Sequence, residues 1–84
     1  MNLKQRLTKI VTMEDAETQM RLAKQYFMRL RSESKSNLLT LEQKVVLAQQ
    51  AKDAENTLHS MRRLVFDIED AIEAKLSVVD TVLY

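Results

Sequence analysis

The sequence predicts an all-α protein, folded as an antiparallel helical hairpin with a coiled-coil-like seam. Three observations predict it. The 84 residues include no glycine and no proline, so phosphate-cradling loops, tight hairpin turns and strained nucleophile elbows lack the residues they need. Apolar residues recur in alternating steps of four and three over two long stretches, which sets each series along one helix face. Between the stretches lies the one cluster of turn formers, "SESKSNLLT".

The first helix is expected over about 2–34. Its stripe is Met13, Ala16, Met20, Ala23, Phe27 and Leu30, extended upstream by Leu3, Leu7 and Ile10 after a phase slip. Thr12 lies at the slip, with Glu14 and Asp15 behind it in the manner of a helix start. The continuous helix is the favoured reading; a break near Thr12 is the alternative. A loop follows over about 35–40, where Asn37 is the expected left-handed residue that closes the first helix.

Thr40 opens "TLEQ", a capping box in which its hydroxyl caps the amide of Gln43 and the Gln43 side chain reaches back. The second helix is expected over about 41–76. Its stripe is Leu47, Ala51, Ala54, Leu58, Met61, Val65, Ile68 and Ile72, resumed at Val79 and Val82. Lys75 interrupts the stripe and reads as a residue snorkelling from the end of the seam. The whole chain, 1–84, is then one domain ending in an apolar tail over 76–84.

Folding at Asn37 sets Phe27 against Leu47, Ala23 against Ala51, Met20 against Ala54, Ala16 against Leu58 and Met13 against Met61. Further along, Ile10 meets Val65, Leu7 meets Ile68 and Leu3 meets Ile72. Large residues mostly oppose small ones, as interdigitation requires. Charge favours the same alignment. Lys4, Arg6 and Lys9 fall opposite Asp67, Glu69, Asp70 and Glu73, while Arg21 and Lys24 fall near Asp53 and Glu55.

Composition removes many functional classes. Without cysteine there is no disulfide framework or thiol nucleophile, and a single histidine, His59, does not make a transition-metal site. The acidic residues Asp67, Glu69, Asp70 and Glu73 spread around a helix and read as a solvated face. The only seam cations, Lys44 and Lys75, lie at opposite ends, so no basic cluster is set up for a mutase acting on a small anion. No catalytic residue, cofactor, metal or small-molecule substrate is expected. A net charge of +1 provides no general attraction for nucleic acid or anionic membrane, and no apolar run reaches a span of ~20 residues. The basic start "MNLKQRLTKIV" lacks the apolar core of a secretory signal, and a cytoplasmic location is expected.

A two-helix hairpin leaves Val11, Leu22, Tyr26, Met28, Leu38, Leu39, Val46, Leu64 and Phe66 outside its seam. The second helix also outruns the first, which would leave "LSVVDTVLY" uncovered by its own chain. The expected partner-binding residues are Leu64, Phe66, Leu76, Val78, Val79, Val82, Leu83 and Tyr84, with the tail docking as a helix in preference to a strand. The expectation is a non-enzymatic interaction module: an adaptor, a chaperone, or an inhibitor or regulator of a larger assembly. Size and architecture would suit an accessory protein of a phage or secretion system. Its partner would be another protein, a second copy, or both. The alternative is a dimeric nucleic-acid-associated regulator using Arg29, Arg31 and Lys35 beside Tyr26 and Phe27.

Overall fold

The computed structural model describes residues 2–83 and is all-α, with no strand among them. In chain order the helices are α1 (Leu3–Thr8), α2 (Met13–Glu33), α3 (Leu41–Arg63), α4 (Val65–Glu73) and α5 (Val78–Leu83). The two long helices, α2 and α3, form the hairpin, and theirs is the dominant interface. Among the described residues no helix is long and apolar enough to cross a membrane.

Side chains fix where the helices begin. Thr40 Oγ1 accepts from the Gln43 amide at 3.2 Å, and Gln43 Oε1 accepts from the Thr40 amide at 3.0 Å, completing the capping box. Asn2 and Gln5 make the same reciprocal pair at the start of α1. Closure of α2 differs from expectation. Its backbone stays right-handed at Ser34 and unwinds through short turns in which Lys35 and Ser36 donate to Ser32 and Glu33. Asn37 is not left-handed; among the described residues only Lys75 has a positive φ.

The central seam follows the sequence stripes except at Met13, which stands exposed at the start of α2 instead of facing Met61. Ala16 and Ala23 of α2 and Ala51, Ala54, Leu58 and Met61 of α3 are buried. Met20, Phe27 and Leu47 are half-buried against them. In the middle of the hairpin the charge alignment is not realised as bonds: among the described residues no ion pair joins Arg21 or Lys24 to Asp53 or Glu55. The pairs Arg29–Glu33, at 4.0 Å, and Glu55–His59, at 3.9 Å, each run along a single helix. Exposed pairs contribute at most ~1 kcal/mol, too little to hold long side chains across a groove.

The expected helix over 2–34 is broken at residues 9–12, and the chain reverses there. Thr12 caps α2, and Asp15 Oδ2 accepts from the amides of both Val11 and Thr12 at 3.1 Å. Those two bonds hold the Asp15 carboxyl below the usual aspartate range. α1 therefore doubles back along α2. Arg6 Nη1 donates to Gln19 Oε1 at 3.2 Å in the interior, and Asn2 shares a groove with Tyr26 and Gln50. This corrects the pairing of Leu3 with Ile72 and of Arg6 with the acidic residues 67–73. Burial lowers the pKa of the Arg6 guanidinium, against a smaller upward pull from Tyr26.

The expected helix over 41–76 is also divided. Leu64 leaves helical geometry at φ −93° and ψ 7°, and beyond it the inward residues are Ile68 and Ala71, with Ile72 only half-buried. At the end of α4, the Leu76 amide donates to Ala71 O at 2.9 Å and the Lys75 amide donates to Ile72 O at 3.1 Å. This is a Schellman turn, with Lys75 at φ 56° in the position where glycine is favoured. Lys75 is thus the turning residue and does not snorkel from a seam.

That turn overturns the expectation of an uncovered tail. It sends α5 back onto α4 and α1, where Val78 is buried among Leu7, Ile10 and Ile68. The proximal half of the molecule is consequently a small multi-helix core, while the distal half remains a bare hairpin. The radius of gyration, 14.8 Å, exceeds the ~12 Å of a compact chain of this length.

Candidate docking surface

α1 lies on one side of the α2–α3 groove and covers it only as far as its own amino end. Asn2 stands there beside Tyr26, Gln50, Asp53, Ala54 and Thr57. Toward the hairpin tip, α3 and Leu39 of the loop before it line an open trough of about 470 Å³ formed by Leu39, Glu42, Gln43, Val46, Leu47 and Gln50. Gln50 lines both sections, so the surface that seats α1 runs on toward the hairpin tip.

The uncovering is extensive. From Leu41 to Gln50, three turns of α3, no residue is buried. Yet this stretch carries Leu41 at 79% exposure, Val45 at 61% and Val46 at 56%, with Leu38 at 95% in the loop before it. Inward anchorage at this end comes from Leu30, Ala51 and Ala54, supported by Tyr26, Phe27 and Leu47. Isolated exposed aliphatics are ordinary, but several on one short segment mark a contact surface.

A second apolar groove lies at the proximal end. Leu7, Ile10, Ile72, Leu76, Val78 and Val79 line a space of about 350 Å³, with Lys75 at its margin. Val11 and Leu76 stand exposed beside it.

The expected partner-binding residues are scattered by the fold. Phe66, Leu76 and Leu83 are exposed. Leu64, Val79 and Val82 are half-buried against the core, and Val78 is inside it. Tyr84 lies outside the described residues. Sequence reasoning singled out Val46, Leu38 and Leu39 but missed Leu41 and Val45. The signal was the run Val45-Val46-Leu47, since three consecutive positions span far more of a helix than one seam can cover.

Two of the three cations of the alternative reading, Arg29 and Arg31, do not share a face, and Lys35 stands exposed in the turn after α2. The Arg29 guanidinium sits 5.3 Å from the centre of the Tyr26 ring, on the side that seats α1. Arg31 lines a groove on the other side with Phe27, Ala48 and Lys52. Two positions along a helix differ by about 200°, which separates them as phosphate contacts. Among the described residues no group of three or more His, Cys, Asp or Glu side chains could hold a metal ion. No protein-family model, curated protein or solved structure matches this chain.

Proposed function

We propose that the protein is a non-enzymatic interaction module that works in the cytoplasm by docking the distal end of its hairpin on protein. The observation that carries this reading is the uncovered start of α3, where Leu41, Val45 and Val46 stand in solvent on a helix with no buried residue for three turns. Leaving these groups in water forgoes ~25 cal/mol per Å² of apolar surface, which a partner would recover. Adaptor, chaperone and inhibitor roles all use such a face. The lack of cysteine accords with a reducing compartment.

The test is the double variant Leu41→Glu/Val46→Glu. It is expected to retain the helicity and melting temperature of the wild type, because neither side chain is in the core. Proteins that co-purify with the wild type are expected to be lost. Retention of the same proteins at the same yield would refute the reading. Binding is also expected to persist at half-molar salt, whereas phosphate recognition would collapse.

A further inference from the structure

We infer that a second copy of this chain packs antiparallel along the face of the hairpin turned away from α1. Its acidic α4 lies in a basic groove between α2 and α3, and the contact is reciprocal about a two-fold axis near Leu64. This surface is separate from the uncovered start of α3.

The groove is built from both long helices. Lys24 and Arg31 of α2 stand on one rim and Lys52 and Arg62 of α3 on the other, with Phe27 and Leu58 between them. Phe27, Arg31 and Glu55 line both of its halves, so it runs unbroken from Ser34 and Ala48 to Lys24 and Arg62. Glu55 is its one carboxylate and pairs with His59 of the same helix at 3.9 Å. Among the described residues none of the four rim cations has an ion pair. The opposite charge is on α4, where Asp67, Glu69, Asp70 and Glu73 occur with no lysine or arginine. Ile68 and Ala71 turn inward, which leaves Asp67, Asp70 and Glu73 exposed, and among the described residues none of the four carboxylates has an ion pair.

Both surfaces lie on one helical stripe. Lys52, Glu55, His59, Arg62, Phe66, Asp70 and Glu73 follow one another at steps of three and four. The irregularity at Leu64 leaves the backbone bonds in place: its amide donates to Ser60 O at 3.0 Å, and the Ile68 amide donates to Leu64 O at 2.9 Å. At 1.5 Å per residue a straight rod from Leu41 to Glu73 is about 50 Å long. The longest dimension of the molecule is 49 Å, so α4 runs on nearly in line with α3.

The stripe is therefore basic before Leu64 and acidic after it. A stripe of this kind complements itself when a second one runs antiparallel, whereas a parallel pairing sets like charges together. Blocks of charge face each other, so a slide of one helical turn leaves them opposed. Phe66, 73% exposed, lies at the crossing point, where a second copy covers it. A foreign acidic helix would match the groove alone; a second copy matches the groove and α4 of both chains at once. Exposed charge pairs are individually weak and screened by salt, which puts the dissociation constant on the order of tens of micromolar at low salt.

The test is sedimentation equilibrium of the purified full chain from about 1 to 200 μM. A monomer–dimer transition is expected in about 50 mM sodium chloride, weakened at least tenfold in about 500 mM. Lys52→Glu/Arg62→Glu and Asp70→Lys/Glu73→Lys change only exposed positions, and each is expected to weaken the dimer at least tenfold with helicity unchanged. Mixed in equal amounts, the two variants are expected to form a heterodimer at least fivefold tighter than either alone, because one of its two contacts is then wild type. A wild-type chain that stays monomeric to 200 μM at low salt, growth past the dimer, or a mixture no tighter than its components would overturn the inference. In the first case the groove would be left to an acidic helix of another protein. Docking of the hairpin tip, tested by Leu41→Glu/Val46→Glu, would be untouched by any of these results.

Discussion

Arg6 Nη1 reaches Gln19 Oε1 across 3.2 Å inside the protein, fastening the first helix to the flank of the second. Both residues are buried, and the bond joins a charged donor to a neutral acceptor, a class in which loss of one partner is costly. Gln19→Leu is expected to lower unfolding free energy in urea by about 1.5–3 kcal/mol, because the guanidinium loses this acceptor. Arg6→Met/Gln19→Leu is expected to return to within about 1 kcal/mol of wild type, as replacement of buried polar groups by apolar ones of similar volume often does. A Gln19→Leu cost below about 0.5 kcal/mol would show that the bond does not hold α1.

Lys75 occupies a left-handed position in a chain without glycine. A side chain there costs about 1–2 kcal/mol, partly offset by the lower entropy of an unfolded chain that lacks glycine. Lys75→Gly is expected to raise stability by about 0.5–1 kcal/mol, and Lys75→Val to lower it by more than 1 kcal/mol. Thermal melting of the two variants checks both signs.

Asp15 links the α1–α2 corner to pH. Its carboxyl is held below the ordinary range by the Val11 and Thr12 amides, so the folded state favours the ionised form. That contribution is fully present above the unfolded aspartate value of about 3.9 and is lost as pH falls through the lower folded value. Stability measured from pH 6 down to pH 2 is expected to fall less in Asp15→Asn than in the wild type. Equal acid sensitivity in the two proteins would remove Asp15 as a source of the effect.

The tail belongs to the fold. Truncation after Lys75 removes Val78 from contact with Leu7, Ile10 and Ile68 and is expected to lower the melting temperature at every protein concentration. Val78→Ala alone is expected to cost about 2 kcal/mol. Phe66→Glu, at a position 73% exposed, is expected to change stability by no more than about 0.5 kcal/mol.

The hairpin was legible because its determinants are local: heptad steps through Ala23, Ala51, Ala54 and Leu58, and the Thr40 capping box. The reversals were not. Residues 9–12 and 74–77 contain neither glycine nor proline, the residues that most clearly mark a turn. At the first, the signs were the slip in the apolar stripe between Ile10 and Met13 and Thr12 followed by acidic residues. At the second, Lys75 takes a conformation its side chain disfavours, because α5 gains burial of Val78 by turning back. The candidate docking surface was half legible: Val46 could be read as surplus to the seam. That α1 would cover only part of one face depended on a reversal the pattern does not encode.

The reversal of α1 and the return of α5 bring opposite ends of the sequence into contact. Every other main contact joins helices whose connections are shorter, so this one requires the largest loop to close and is reached last. Folding should therefore begin in the α2–α3 hairpin and finish when α1 and α5 seat against each other. In the native ensemble the order runs backward. Amides of Leu7 and Thr81 are expected to exchange with solvent together and sooner than those of Ala23 and Leu58. A circular permutant that joins the chain ends through a flexible linker and opens the chain at residues 35–38 converts the last contact to form into a local one, and its refolding is expected to quicken.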